Sequence, residues 1–146
     1  MSRADDAARA LHEHRRAKTD PLLDEAVKPQ DLDEAYAAHL ALLELMTADG
    51  GGPQIGWKVG FTNDKAQARN GATEPVFAGL LGGNSYVGEA ELTSPRGTGL
   101  GVEAELALRM AQPLSGPVSQ QDAAAAIDAV AIAMEVVEQQ IGRAHV

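Results

Sequence analysis

Residues 102–110 read Val-Glu-Ala-Glu-Leu-Ala-Leu-Arg-Met. Val102, Ala104, Leu106, Leu108 and Met110 alternate with Glu103, Glu105, Ala107 and Arg109, and a period of two predicts a strand that buries the apolar set. Both glutamates then project from one face, with α-carbons about 6.5 Å apart. Two carboxylates at that separation can converge on one cation, and hard divalent ions such as Mg²⁺ or Mn²⁺ take oxygen ligands. The plainer alternative is a solvated strand face on which Arg109 balances the two acids.

A third acid bears on that choice. In Val130-Ala131-Ile132-Ala133-Met134-Glu135-Val136-Val137 every residue but Glu135 is apolar. Period alone leaves strand and helix open for this run. In either form, an acid at its middle faces burial that costs several kcal/mol unless a cation or hydrogen bonds compensate. Glu135 is therefore a third candidate ligand.

The other reactive group in an unusual setting is Lys58. Across Ile55-Gly56-Trp57-Lys58-Val59-Gly60-Phe61, the residues Ile55, Trp57, Val59 and Phe61 share one strand face and Gly56, Lys58 and Gly60 the other. Glycines on both sides leave room around the ammonium group for a ligand to approach. A solvent-facing strand carrying one charge is the competing explanation.

These groups need a scaffold, and the rest of the chain supplies candidates for it. Residues 5–18 read as a helix started by Ser2, three residues before Asp5, and stopped at Thr19-Asp20-Pro21. A second helix begins at Asp31, with Glu34 at capping-box spacing. It places Leu32, Tyr36, Leu40, Leu43 and Met46 near one stripe and ends at Gly50-Gly51-Gly52-Pro53. His12, His14 and His39 on these helices read as surface or satisfied histidines rather than catalytic ones. Residues 63–70 form a short helix capped by Thr62 or Asn63 and closed by Asn70-Gly71.

The stretch 74–83 is glycine-rich and reads as a pocket-lining loop or a run of turns; it lacks the spacing of a phosphate loop. Short strands are expected at 85–87 and 91–93, and a loop at 94–101. Ser119, with Asp122 three residues on, opens an alanine-rich helix that includes Ala123 to Ala126.

Composition narrows the function classes. The chain has 146 residues, enough for one domain with a core, and 45% of them are apolar. Twelve basic against twenty-one acidic side chains leave a net charge of −9, which argues against nucleic acid and anionic membranes as partners. The absence of cysteine excludes disulfides, thiolate metal sites and cysteine nucleophiles. No apolar run approaches the ~20 residues of a membrane span, and the acidic start, Met1-Ser2-Arg3-Ala4-Asp5-Asp6, is unlike a secretory signal. The expected compartment is the cytoplasm.

Four segments in order resemble one known family: Gly56-Trp57-Lys58-Val59-Gly60-Phe61-Thr62, Glu74-Pro75-Val76-Phe77-Ala78-Gly79-Leu80-Leu81, Val102-Glu103-Ala104-Glu105-Leu106-Ala107-Leu108 and Met134-Glu135-Val136-Val137. The family is that of 2-keto-4-pentenoate hydratase and 4-oxalocrotonate decarboxylase, within the fumarylacetoacetate hydrolase superfamily. The resemblance covers nearly the whole chain. It implies an α+β fold in which N-terminal helices, residues 1–53, precede a metal-binding part, 54–146, of a mixed, rolled β-sheet barrel. It implies Mg²⁺ or Mn²⁺ on Glu103, Glu105 and Glu135, an active-site role for Lys58, and substrate contacts at Phe77, Leu80 and Leu81. The chain differs at Gly101, where the family usually has a basic residue. It also stops at Val146, where the family continues through further strands, so a single, incomplete hydratase-like domain is expected, and open barrel edges favour homo-oligomers.

The activity so implied is that of a hydro-lyase of aromatic-compound catabolism. The cation chelates the carboxylate and 2-oxygen of a small 2-hydroxy-2,4-dienoate and stabilises enolate charge, and water adds to give a 4-hydroxy-2-oxo acid. Lys58 holds or polarises the substrate, or shuttles a proton. The alternatives are metal-dependent decarboxylation of a 2-oxo-enedioate of the 4-oxalocrotonate type, and a non-catalytic, truncated assembly partner; beside the homo-oligomer, the companion the resemblance suggests is a sister decarboxylase or aldolase. A C–C hydrolase of the same superfamily fits less well, because no histidine stands beside the metal strands and His145 lies near the end.

Overall fold

Ser2 begins the first helix through a reciprocal pair of bonds: the Asp5 N–H donates to Ser2 Oγ at 3.2 Å, and the Ser2 N–H donates to Asp5 Oδ2 at 2.8 Å. Helix α1 (Arg3–Ala17) follows and ends on Lys18, whose φ of 55° is left-handed. The structure is a computed structural model that describes residues 2–20, 22–94 and 99–138. Among the described residues it is an α+β fold of four α-helices and two two-stranded antiparallel sheets, and the chain divides into two units, Met1–Glu91 and Leu92–Val146. His145 lies outside the described residues.

In the first unit, Asp31 starts α2 (Leu32–Met46) by accepting from the Glu34 N–H at 2.8 Å. Glu34 completes only half of the expected capping box, because its Oε2 accepts from Gln30 N–H instead of Asp31 N–H. The two helices meet through alanines: Ala4, Ala7 and Ala38 are buried together, with Leu23 against them. Side chains this small let helix backbones approach closely but remove little apolar area from water. The expected stripe is therefore only partly realised, with Leu43 buried and Leu32 and Leu40 exposed. One π-helical turn, Thr47–Gly51, extends α2 into the glycine cluster, where Gly50 has φ +88°.

Strand β1 (Gln54–Gly60) pairs antiparallel with β2 (Val76–Leu81), joined through α3 (Asp64–Asn70). Of the two candidate caps for α3, Asn63 is the one used, accepting from Ala66 N–H at 2.9 Å; Gly71 closes the helix at φ +67°. Strand β2 corrects the expectation of loop or turns at 74–83: pairing with β1 overrides the turn tendency of Pro75 and the glycines, and only Gly82–Asn84 turn, as a 3₁₀ segment. No strand forms at 85–87 or 91–93, which have no partner strand among the described residues.

Burial on β1 also departs from the alternation. Ile55, Trp57 and Val59 are exposed, whereas Gly56, Lys58 and Gly60 are half-buried. The apolar set is partly sheltered through Phe77, which lies edge-on to Trp57 (centroids 5.4 Å) and stacks on Tyr36 of α2 at 4.1 Å.

The second unit is a long ribbon. Strand β3 (Leu100–Met110) pairs antiparallel with β4 (Ile127–Glu138), linked through α4 (Gln120–Ala125), which Ser119 caps by accepting from Asp122 N–H. The run 130–137 is thus strand. Leu100 and Gly101, expected in a loop, already belong to β3, and residues 95–98 of that loop lie outside the described residues. The alternation of β3 holds but its burial does not: Val102, Leu106, Leu108 and Met110 are exposed, because among the described residues the ribbon's own unit supplies no second layer over that face. No barrel closes among the described residues, and no helix among them is long and apolar enough to cross a membrane.

Candidate metal centre

Strict alternation on β3 puts Glu103 and Glu105 on the same face of the ribbon. The register of the ladder then brings in the third acid: Glu103 stands directly opposite Glu135 on β4, and Glu105 opposite Ala133. One carboxylate oxygen from each of Glu103, Glu105 and Glu135 lies within 4.8 Å of the other two. Glu103 and Glu105 are exposed and Glu135 is half-buried. Three acids more than thirty residues apart at their extremes are thus gathered by one antiparallel register, and a slip of a single residue would turn one strand's acids to the other face.

Charge balance on this face does not come from Arg109 in the way the plainer reading supposed. The Arg109 guanidinium donates from Nε to Asp128 Oδ1 at 2.7 Å and from Nη2 to Asp128 Oδ2 at 3.1 Å, a two-point pair at the α4 end of the ribbon. Sequence reasoning missed Asp128; its place beside the register shift at Arg109/Met110 becomes visible only once the strands are paired.

An all-oxygen set of three carboxylates is the donor chemistry that hard divalent cations select, and it suits neither soft metals nor iron–sulfur chemistry. A cation held by these three groups would keep room in its shell for water or another oxygen ligand.

The other expected site residues belong to the first unit. Lys58 is half-buried on β1, opposite Ala78. Phe77 takes part in the aromatic cluster with Trp57 and Tyr36, Leu80 pairs with Gly56, and Leu81 is buried at 3% exposure, so Leu81 acts as core. Each of the three described histidines has a partner. His12 Nε2 lies 3.4 Å from Asp49, and His14 Nδ1 lies 2.8 Å from Thr19 Oγ1. His39 Nε2 accepts the Gly79 N–H at 2.9 Å. Burial holds the His39 imidazole below its ordinary value of 6.5.

No protein-family model and no curated protein matches the chain.

Proposed function

We propose that this chain holds a divalent cation on Glu103, Glu105 and Glu135 and uses it as a hydratase of a small 2-hydroxy-2,4-dienoate. The observation that carries the reading is the meeting of the three carboxylates within 4.8 Å. Mg²⁺ and Mn²⁺ are the fitting ions, by ligand type. When bound, such an ion supplies Lewis acidity toward the oxygens of a 2-oxo or 2-hydroxy acid.

The chain's own residues do the rest. The glutamates fix the ion's position on a paired strand face, and the two exposed ones leave access from solvent. Lys58 holds the substrate or moves a proton, a role supported by the Gly-Trp-Lys-Val-Gly motif and its resemblance to the hydratase family. Residues 54–146 would belong to part of a mixed, rolled sheet of the fumarylacetoacetate hydrolase type, with the helical residues 1–53 preceding it in the chain.

The test is a spectrophotometric assay with 2-hydroxypenta-2,4-dienoate and, separately, an oxalocrotonate-type enedioate, each with and without Mg²⁺ or Mn²⁺. Metal-dependent loss of the dienoate, abolished by Glu105→Gln, is the expected result. Lys58→Met lowers turnover with unchanged Mn²⁺ affinity. Release of CO₂ from the enedioate without dienoate hydration would replace hydratase by decarboxylase, and no metal-dependent turnover of either compound would overturn the enzyme reading.

A further inference from the structure

Between the end of α1 and the turns Thr47–Gly51 and Gly82–Asn84 lies a hollow of about 280 Å³. Arg15 and Arg16 line it from α1, with His12 one turn earlier, and Asp49 and Asn84 line it from the two turns. Asp49 Oδ2 lies 3.4 Å from His12 Nε2 and 3.5 Å from Arg16 Nε, so one carboxylate serves both side chains. The Arg15 guanidinium has no ion pair or hydrogen bond among the described residues. The rest of the lining is backbone held in place. Gly82 N–H donates to the Pro53 carbonyl at 2.9 Å, and a Cβ on Gly83 would stand 2.6 Å from the Gly51 carbonyl oxygen, so the two turns are pressed together.

Basic residues in the last turn of a helix answer its dipole, and that accounts for the position of Arg15 and Arg16 in the sequence. It does not account for their meeting an aspartate, an asparagine and glycine backbone around a common hollow. Two guanidiniums and one carboxylate leave a net positive charge there, on a chain whose total is −9. From this we infer that the hollow binds a small hydroxy- or oxo-carboxylate. A guanidinium fork matches a carboxylate through two parallel hydrogen bonds, and the fork of Arg15 is unengaged. The charge suits a singly ionised acid, whereas a phosphate dianion meets the Asp49 carboxylate as well as the arginines. Asn84 carries both donor and acceptor atoms, and the glycine backbone adds N–H and C=O groups, for the hydroxyl or oxo oxygen of the ligand. Volume limits its length: the hollow falls just below the roughly 300–1,000 Å³ of pockets for drug-sized ligands, so the acid has only a few carbons. The hollow lies within the first unit, and the inference stands independently of what the three glutamates hold.

Titration of the full ¹⁵N-labelled chain with L-lactate, pyruvate and inorganic phosphate, followed by NMR in metal-free buffer at about pH 8, where phosphate is mostly the dianion, tests it. Without a divalent ion the three glutamates repel an acid, so any response is separate from the metal centre. Saturable shifts of the Gly50, Gly51 and Asn84 amides with lactate or pyruvate are expected, with phosphate about tenfold weaker or more. Arg15→Gln and Arg16→Gln should each weaken binding of the acid about tenfold. Arg69→Gln, which removes an exposed arginine from the last turn of α3, should leave it unchanged. Asp49→Asn should narrow the gap between acid and phosphate, because it removes the charge that disfavours the dianion. Thermal unfolding of each variant identifies loss of the fold, and Arg15→Gln breaks no side-chain contact among the described residues. No saturable shift with either acid up to tens of millimolar, phosphate bound as tightly as the acids, or binding that Arg15→Gln leaves unchanged or Arg69→Gln lowers equally would each overturn the inference.

Discussion

Glu103 and Glu135 face each other directly across the β3–β4 ladder. Like charges in that position work against the strand pairing by about 0.2–1 kcal/mol, and Glu105 adds a third negative charge to the same face. A cation shared by these acids would offset that cost. Glu103→Gln should raise the midpoint of thermal unfolding in chelator while removing the rise that Mg²⁺ or Mn²⁺ produces in the wild type. That rise corresponds to about 2.7 kcal/mol at a hundred times the dissociation constant. Differential scanning calorimetry with EDTA and with metal reads both, and a variant destabilised in EDTA contradicts the repulsion.

His39 ties α2 to β2. By accepting the Gly79 N–H through Nε2, the ring is neutral with its proton on Nδ1, and burial keeps its folded value below 6.5. The unfolded chain then takes up the proton first as pH falls. Stability from this group is complete above about 6.5 and declines as pH drops through that value toward the lower folded one. His39→Gln retains an acceptor and loses the titration, so its unfolding midpoint should fall less between pH 7 and pH 5 than that of the wild type. Parallel slopes would remove His39 as the cause.

Two neighbouring glycines should respond very differently to a methyl group. A Cβ on Gly83 would stand 2.6 Å from the Gly51 carbonyl oxygen, a backbone atom with no side chain to rotate away, whereas on Gly82 its nearest neighbour is Ile55 Cγ2 at 3.4 Å. Gly83→Ala should destabilise by about 1–3 kcal/mol and Gly82→Ala by clearly less. Urea unfolding of the two variants side by side makes the comparison, and equal losses would contradict the close approach of the two segments.

The Tyr36 hydroxyl is buried with no hydrogen-bond partner among the described residues, although its ring stacks on Phe77. An unsatisfied buried hydroxyl costs about 1–3 kcal/mol. Tyr36→Phe keeps the stack and removes the oxygen, so it should unfold at a higher urea concentration than the wild type. A loss of stability would show that the hydroxyl is bonded.

Where sequence and structure agree, the signal was local chemistry. Ser2, Asp31, Asn63 and Ser119 each accept the backbone N–H three residues ahead, and Gly71 stops its helix in the left-handed region, as their residue types predict. The shared face of Glu103 and Glu105 follows from alternation alone. What escaped depends on partners distant in the chain. Val76 to Leu81 is a strand because β1 lies alongside it, against the turn character of its glycine-rich surroundings. His39 is a tether because Gly79 meets it; its only signal was a place between Tyr36 and Leu43 on the inward side of α2. Burial of a strand face was misjudged on both β1 and β3, since alternation specifies which residues share a face and not what covers it.

The central claim is that three glutamates act as one cation site, and calorimetric titration of the full chain with Mn²⁺ tests it most directly. The account predicts one ion per chain, competed by Mg²⁺, with binding lost in Glu103→Gln, Glu105→Gln and Glu135→Gln alike. Absence of binding up to millimolar Mn²⁺ in the wild type, or binding as strong in the three variants as in the wild type, would contradict it.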